Sequence, residues 1–136
     1  MKQTLLLLLF LPLFGQAQNK LSVEVDGVKT SNGKISVAVY NESDGFLKLD
    51  KVFKSDSVQA KKGRTSLSIE DLPQGEYALA IFHDENGNDK LDTNWLGIPK
   101  EAIGFSNSRM KTFGPPSFKE CSISVQKDSE ITVFIE

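Results

Sequence analysis

The segment from His83 to Ser108 holds the residues of this chain whose types and spacing are best suited to chemistry. It reads HDENGNDKLDTNWLGIPKEAIGFSNS, with acids and amides at close intervals in its first half. Counting from Asp84 as position one, oxygen donors recur at every second position, which is the spacing of a calcium loop. The candidate ligands are Asp84, Asn86, Asn88, Lys90 through its backbone carbonyl, Asp92 and, folding back from outside the loop, Glu101.

This loop has two interpretations that the sequence leaves open. It differs from an EF-hand because position six is Asp89 instead of Gly, position twelve is Trp95 instead of a bidentate Glu, and no helices flank it. A lone Ca²⁺ loop on a β-scaffold is the first interpretation, with the weak affinity of extracellular modules. The second is a series of Asx-turns around Asn86-Gly87, with no metal.

His83 is the only histidine of the chain, so a catalytic triad would have to use it. Strand alternation places it on the face of Tyr77, Leu79 and Ile81, which predicts a buried histidine that bonds a loop carbonyl. Cys121, the only cysteine, is predicted to share a buried face with Ile123 and Val125. We therefore expect no catalytic residue; an enzyme using His83 with Asp84, Asp92 or Glu101 is the least favoured alternative.

The second half of the segment combines large apolar side chains with Gly and Pro. Trp95, Phe105 and Asn107 are candidates for binding an extracellular glycan or protein through the loop 95–118. The competing interpretation is that the apolar groups pack against the end of the domain. The residues to which we assign structural roles are His83, Gly97, Pro99 and Gly104.

The elements that must position these residues alternate with a period of two. Strands are predicted at Leu21–Val25, Lys34–Tyr40, Arg64–Ile69, Glu76–Phe82, Ser122–Val125 and Ile131–Ile135. The segment Phe46–Phe53 fits a short helix, whereas Val52–Val58 fits an edge strand. The pattern predicts an all-β fold, a single antiparallel β-sandwich of about seven strands with a long ordered loop, transthyretin-like or immunoglobulin-like.

The N-terminus predicts export. Lys2 precedes an apolar run over residues 4–14, and small residues at Gly15 and Ala17 mark a signal-peptidase site. We expect residues 1–17 to be a cleaved signal peptide, residues 18–136 to form one secreted or periplasmic domain, and no integral membrane segment to remain. With 16 basic and 18 acidic residues, the formal net charge of −2 gives no reason to expect nucleic-acid binding.

Two resemblances accompany these predictions. The phrase Leu-Pro-x-Gly-x-Tyr-x-Leu-x-Ile over residues 72–81 resembles transthyretin-like and carboxypeptidase-regulatory-like modules, which are mostly accessory domains. The longer pattern of residues 83–108, with DLPQGEYALAIF before it and GPPSF after it, resembles a secreted bacterial family, the domain of unknown function 2141. The family pattern has Gly where this chain has Asp89. This resemblance implies the fold and export and supplies no reaction.

Overall fold

A computed structural model describes Gly15 and residues 18–136; the predicted signal peptide, residues 1–17, otherwise lies outside the described residues. Eight strands form two sheets. Their bounds are β1 Gln18–Val28, β2 Lys34–Tyr40, β3 Lys54–Gln59, β4 Gly63–Pro73, β5 Gly75–Asp84, β6 Ile103–Phe105, β7 Ile123–Val125 and β8 Ser129–Phe134. A 3-10 turn at Leu49–Lys51 and a short helix α1 at Phe118–Cys121 complete the elements.

The two sheets confirm the predicted all-β sandwich. The first has the order β4-β1-β8, and the second has the order β3-β2-β5-β6, with β7 also pairing with β5. One pair departs from a purely antiparallel arrangement, since β8 runs parallel to β1 from Leu21↔Ser129 to Asp26↔Phe134. This pairing brings the last strand of the domain beside the first.

The main core lies between the sheets and follows the period-two pattern. Leu21, Val23 and Val25 of β1 are fully buried against the inward residues of the second sheet. The inward side chains of β5 alternate with a second apolar set on its outer face. That outer set joins Phe105 and Cys121 in a separate cluster, over which Phe46, Leu47 and Phe118 pack. The central strand β5 is therefore covered on both faces.

The helix predicted at Phe46–Phe53 and the face predicted for Cys121 are wrong, whereas the edge strand predicted at Val52–Val58 is confirmed. Phe46–Phe53 does not form a helix; it contains a positive-φ residue, Leu47, and then the 3-10 turn. The edge-strand alternative is correct, because β3 pairs only with β2 in its sheet. Cys121 is buried as predicted, but it ends α1 and packs in the outer cluster, whereas Ile123 packs against the main core.

The helix α1 explains the change of face at Cys121. The Ser117 hydroxyl accepts a hydrogen bond from the Glu120 amide, and the Glu120 carboxylate accepts one from the Ser117 amide. This reciprocal capping box starts a helical turn where strand alternation predicts extended chain. In the part of the chain that the structure describes, no helix has the length and apolar character needed to cross a membrane.

Candidate metal-binding loop

Strand β5 delivers His83 and Asp84 to the start of the loop. Both are fully buried, and β2 holds them in register through the pairs Ile35↔His83 and Lys34↔Asp84. The His83 Nε2 atom donates a hydrogen bond to the Asn32 carbonyl oxygen at 2.7 Å, because a carbonyl can only accept. The structure thus places His83 as the sequence predicts, bonded to a neighbouring loop.

The Asp84 carboxylate folds the loop around itself. Its Oδ2 accepts the Asp89 amide at 2.8 Å, and its Oδ1 accepts the Asn88 amide at 3.2 Å. A carboxylate that accepts backbone N–H groups replaces the water they would lose and fixes their direction. Asp84 is therefore the anchor on which the following residues turn.

The two amides continue the turn in alternate positions. Asn86 Oδ1 accepts the Asn88 amide at 3.2 Å, and Asn88 Oδ1 accepts the Lys90 amide at 3.0 Å. Asp89 takes the left-handed conformation, with φ 64°, that position six of a calcium loop requires. Asp adopts this conformation more readily than most residues with a side chain. The Asx-turns predicted from the sequence are present.

Asp92 and Glu101 close the arrangement from opposite sides. The Asp92 carboxylate accepts the Asn86 side-chain amide at 2.6 Å and the Asn88 side-chain amide at 2.9 Å, which lowers the pKa of Asp92. Glu101 Oε2 accepts the Asp92 backbone amide at 3.1 Å. Desolvation raises the pKa of Glu101, and the negative charges of Asp92 and Asp84 raise it further. The negative charges of Asp84 and Asp92 therefore act on Glu101, although the three residues are separated in the sequence.

An open cleft lies along this side of the loop. Its volume is about 450 Å³, and it is lined by Glu85, Asn86, Asp92, Thr93, Lys100 and Glu101. Asp84 lies behind the cleft, with its carboxylate turned toward the loop amides. Between residues 18 and 136, no group of three or more His, Cys, Asp or Glu is arranged as a ready metal site.

Lys90 is held in the loop through its backbone, whereas the Asp89 side chain points away from it. The Lys90 backbone is held by Asn88 Oδ1, which fixes the peptide that would present its carbonyl. Asp89 is exposed, and its carboxylate pairs with the Lys34 ammonium, which raises the pKa of that lysine. The side chain at position six therefore points to a neighbouring strand and adds no charge to the cleft.

The geometry around His83 does not assemble a catalytic relay. Its Nδ1 is a buried polar atom without a hydrogen-bond partner in the described structure. The nearest carboxylate oxygen, Oε1 of Glu85, lies 3.7 Å away, beyond hydrogen-bond distance. The ring itself is fully buried.

The apolar segment that follows is built on Asn94. Its Oδ1 accepts the amides of Leu96 and Ile98, and Gly97 takes a positive φ of 77° to close the turn. Thr93 and Pro99 then bridge the base of the turn. Trp95 is 91% exposed, Leu96 61% and Ile98 55%, so the expectation that these side chains pack against the sandwich is wrong. The polar turn fixes the backbone and leaves them outside.

Phe105, Asn107 and Gly104, the other residues predicted in this segment, contribute to the fold. Phe105 is not on a loop; it lies in β6 and is 6% exposed. The Asn107 side chain donates to the Ser122 carbonyl and ties the segment to the end of α1. Gly104 lies so close to the Phe134 carbonyl oxygen that a Cβ would collide with it. Gly104 therefore allows β6 to approach the end of β8.

The fold and this loop define a class: a small β-sandwich with an acid-amide loop between its central strand and a short edge strand. The sequence profile of a bacterial family, described as uncharacterized protein conserved in bacteria (DUF2141), matches residues 23–133, and the chain belongs to that family. The predicted family is thereby confirmed. No curated protein and no solved structure matches the chain. The likeness to transthyretin-like modules stays a prediction.

Proposed function

We propose that this protein is an exported, non-catalytic β-sandwich whose loop 84–92, completed by Glu101, binds a structural Ca²⁺ ion. The observation that carries the proposal is that three carboxylates bond to this one loop: Asp84 accepts the Asp89 amide, Asp92 accepts the Asn86 and Asn88 side-chain amides, and Glu101 accepts the Asp92 amide. Like charges held together cost free energy, and a divalent cation removes that cost. The Asx-turns of Asn86 and Asn88 also support the proposal, because they hold residues at alternate positions of the loop in a tight turn.

The change needed for binding is local. In the metal-free arrangement the Asn86 and Asn88 side chains donate to Asp92. The Oδ1 atoms of Asn86 and Asn88 accept the Asn88 and Lys90 backbone amides, and each oxygen has a second lone pair with which it can bind a hard cation without breaking these turns. The cation then takes the place of the two NH₂ groups beside the Asp92 carboxylate. Asp84 continues to accept the backbone amides of Asn88 and Asp89. The predicted export is consistent with the proposal, because extracellular Ca²⁺ modules work at Kd values of about 10⁻⁴–10⁻³ M.

A non-catalytic role is supported by the two residues most suited to covalent or acid–base chemistry. The His83 ring is buried and its Nε2 is engaged with Asn32. Cys121 is also buried, and desolvation raises the pKa of its thiol to about 11. A reactive cysteine needs a low pKa and access to substrate, and Cys121 has neither. The experiment that would overturn this part is a detected turnover that His83→Ala abolishes without unfolding the protein.

Thermal unfolding of the Glu101→Gln variant tests the calcium proposal. For wild type at about 5 mM Ca²⁺ and the Kd range above, binding stabilises the fold by about 1–2 kcal/mol, and Tm rises by about 3–8 °C over its value in EDTA. Glu101→Gln keeps an oxygen for the Asp92 amide and removes the crowded charge. Its Tm in EDTA should therefore equal or exceed that of wild type, while its response to Ca²⁺ is lost.

The matched control is Glu42→Gln, because Glu42 is exposed and takes part in no described hydrogen bond or ion pair. This variant should respond to Ca²⁺ as wild type does. Mg²⁺ at the same concentration should produce a smaller shift, since Mg²⁺ demands stricter geometry and gives up water reluctantly. A wild-type melt that does not change across millimolar Ca²⁺ would remove the metal from the proposal.

A second candidate function is an extracellular glycan- or protein-binding module that uses the loop 95–118. The exposed turn of Trp95, Leu96 and Ile98 favours it, because aromatic side chains held rigidly at a surface are typical of recognition sites. A glycan array should give a signal that Trp95→Ala removes. Phe134→Ala is the control, since Phe134 is also an exposed aromatic but lies on β8. Signals that survive in Trp95→Ala would exclude this loop.

A further inference from the structure

A separate cavity lies on the outer face of the five-stranded sheet. Its volume is about 310 Å³. Ala38 of β2 and Ala80 of β5 are direct partners across the sheet, and both line this cavity. Two adjacent methyl side chains leave a hollow between the larger groups around them, among them Leu47, Phe82 and Phe105. The hollow is therefore a product of strand register at the centre of the sheet.

The lining of this cavity is apolar apart from one hydroxyl. No charged side chain contributes to it, and the polar side-chain group is that of Tyr40. Tyr40 is only 3% exposed, and its ring packs edge-on against Phe46 with centroids 5.2 Å apart. None of the hydrogen bonds among the described residues uses its hydroxyl, and Tyr40 lines the cavity. Burial raises the pKa of Tyr40, so the hydroxyl keeps its proton.

The rim of the cavity is also apolar. Leu49, at 90% exposure, and the partly exposed Leu91 and Met110 all line it. Several large apolar side chains exposed together are typical of a binding site. These three come from different segments of the chain and all line the same cavity.

We propose that this cavity binds a small neutral amphiphile: an apolar body that fills the hollow between Ala38 and Ala80, with one hydrogen-bonding group on the Tyr40 hydroxyl. The volume is at the lower end of the range for small-molecule sites, about 300–1,000 Å³. It is too small for a docked helix, whose diameter with side chains is about 10–12 Å. The uncharged lining excludes an ionic head group from the interior.

Fluorescence of N-phenyl-1-naphthylamine tests this proposal on the protein recovered after export. The probe is neutral and apolar, and its single N–H group can pair with the Tyr40 hydroxyl oxygen. We expect saturable binding at one site per chain and displacement by 1-octanol. Octanoate, which has the same chain length and a negative charge, should need at least a tenfold higher concentration. Displacement by both at equal concentration would contradict a neutral site.

Two variants locate the bound probe. Ala80→Leu fills the hollow from the sheet surface and should weaken binding at least tenfold, whereas Ser124→Leu adds the same side chain at an exposed position of β7 and should not. Tyr40→Phe keeps the ring and removes the hydroxyl, and it should weaken binding about fivefold, the effect of one hydrogen bond. Binding that Ala80→Leu leaves unchanged, or no probe binding by wild type, would overturn the proposal.

These outcomes do not depend on calcium. The cavity and the loop 84–92 share none of the proposed ligand residues, so Glu101→Gln should bind the probe as wild type does. If Ala80→Leu loses its folded circular-dichroism spectrum, Tyr40→Phe and the octanol–octanoate comparison still decide the proposal. Equal affinity in Tyr40→Phe and wild type would exclude the hydroxyl as the polar contact.

Discussion

Replacement of Asp84 by alanine tests whether this buried carboxylate organises the loop independently of any metal. Asp84 accepts two backbone amides, from Asp89 at 2.8 Å and from Asn88 at 3.2 Å. Hydrogen bonds to charged groups contribute about 1.5–3 kcal/mol each, and the longer of the two should be the weaker. Their sum is about 3–6 kcal/mol if both amides are left without a partner.

The expected loss is smaller because water can replace part of it. Residues 85–90 are exposed, so the freed amides of Asn88 and Asp89 can bond to solvent once the loop relaxes. We therefore expect Asp84→Ala to lower the free energy of unfolding by about 2 kcal/mol in EDTA. For a domain of this size the corresponding fall in Tm is about 8 °C. Asp84→Asn keeps one neutral acceptor oxygen and should lose about half as much.

Urea denaturation in EDTA, followed by circular dichroism, gives the free energy of unfolding for wild type and both variants. Asp44→Ala is the matched control, since Asp44 is an exposed carboxylate that takes part in no described hydrogen bond; it should stay within about 0.5 kcal/mol of wild type. If Asp84→Ala loses no more than Asp44→Ala, the two hydrogen bonds do not hold the loop, and the argument for a preformed turn fails.

Two further predictions concern residues outside the loop. Gly104→Ala should destabilise the fold by about 1–3 kcal/mol, because its Cβ would collide with the Phe134 carbonyl and approach Ile135 Cγ2 to 2.9 Å. Gly75→Ala, whose Cβ would find only ordinary contacts, is the control in chemical denaturation, and equal stability of the two variants would contradict the reasoning. Cys121, with its pKa raised to about 11 by burial, should resist iodoacetamide at pH 8 and react in urea; complete labelling of the folded protein would show that the thiol is accessible.

The strands were predictable because burial on one face leaves a period-two trace. Leu21, Val23 and Val25 alternate with polar residues, and all three are buried. The parallel pairing of β8 with β1 leaves no such trace, since alternation is the same whichever direction the partner runs. Strand existence is a local property, whereas strand partnership depends on how the whole chain closes.

The helix α1 shows a local signal that strand alternation concealed. The sequence Ser117-Phe118-Lys119-Glu120 is a capping-box pattern, and the structure forms both of its reciprocal hydrogen bonds. Strand alternation, extended back from Ile123 to Cys121, predicts that the thiol faces the main core. The capping box predicts a helical turn that ends at Cys121, and such a turn breaks the alternation between them.

The sequence predicts the turns of the acid-amide loop. It does not predict where the side-chain oxygens of the loop and of Glu101 point. The Asx hydrogen bonds of Asn86 and Asn88 join residues two apart, and the sequence specifies such pairs directly. Whether Glu101 reaches the loop depends on how the chain returns between Asp92 and β6. The structure brings Glu101 to the Asp92 amide, which no spacing rule specifies.

The apolar cavity could have been anticipated from β5. Its inward residues Tyr77, Leu79 and Ile81 alternate with Ala78, Ala80 and Phe82, so both faces of the strand are apolar. A strand with two apolar faces needs cover on both, and the first sheet, β4-β1-β8, covers only one. The outer face receives Phe46, Leu47 and α1, but Ala38 and Ala80 are too small to fill the space between them. A ligand bound in this cavity would cover the exposed part of the outer face of β5. Its one polar group would form a hydrogen bond with the Tyr40 hydroxyl.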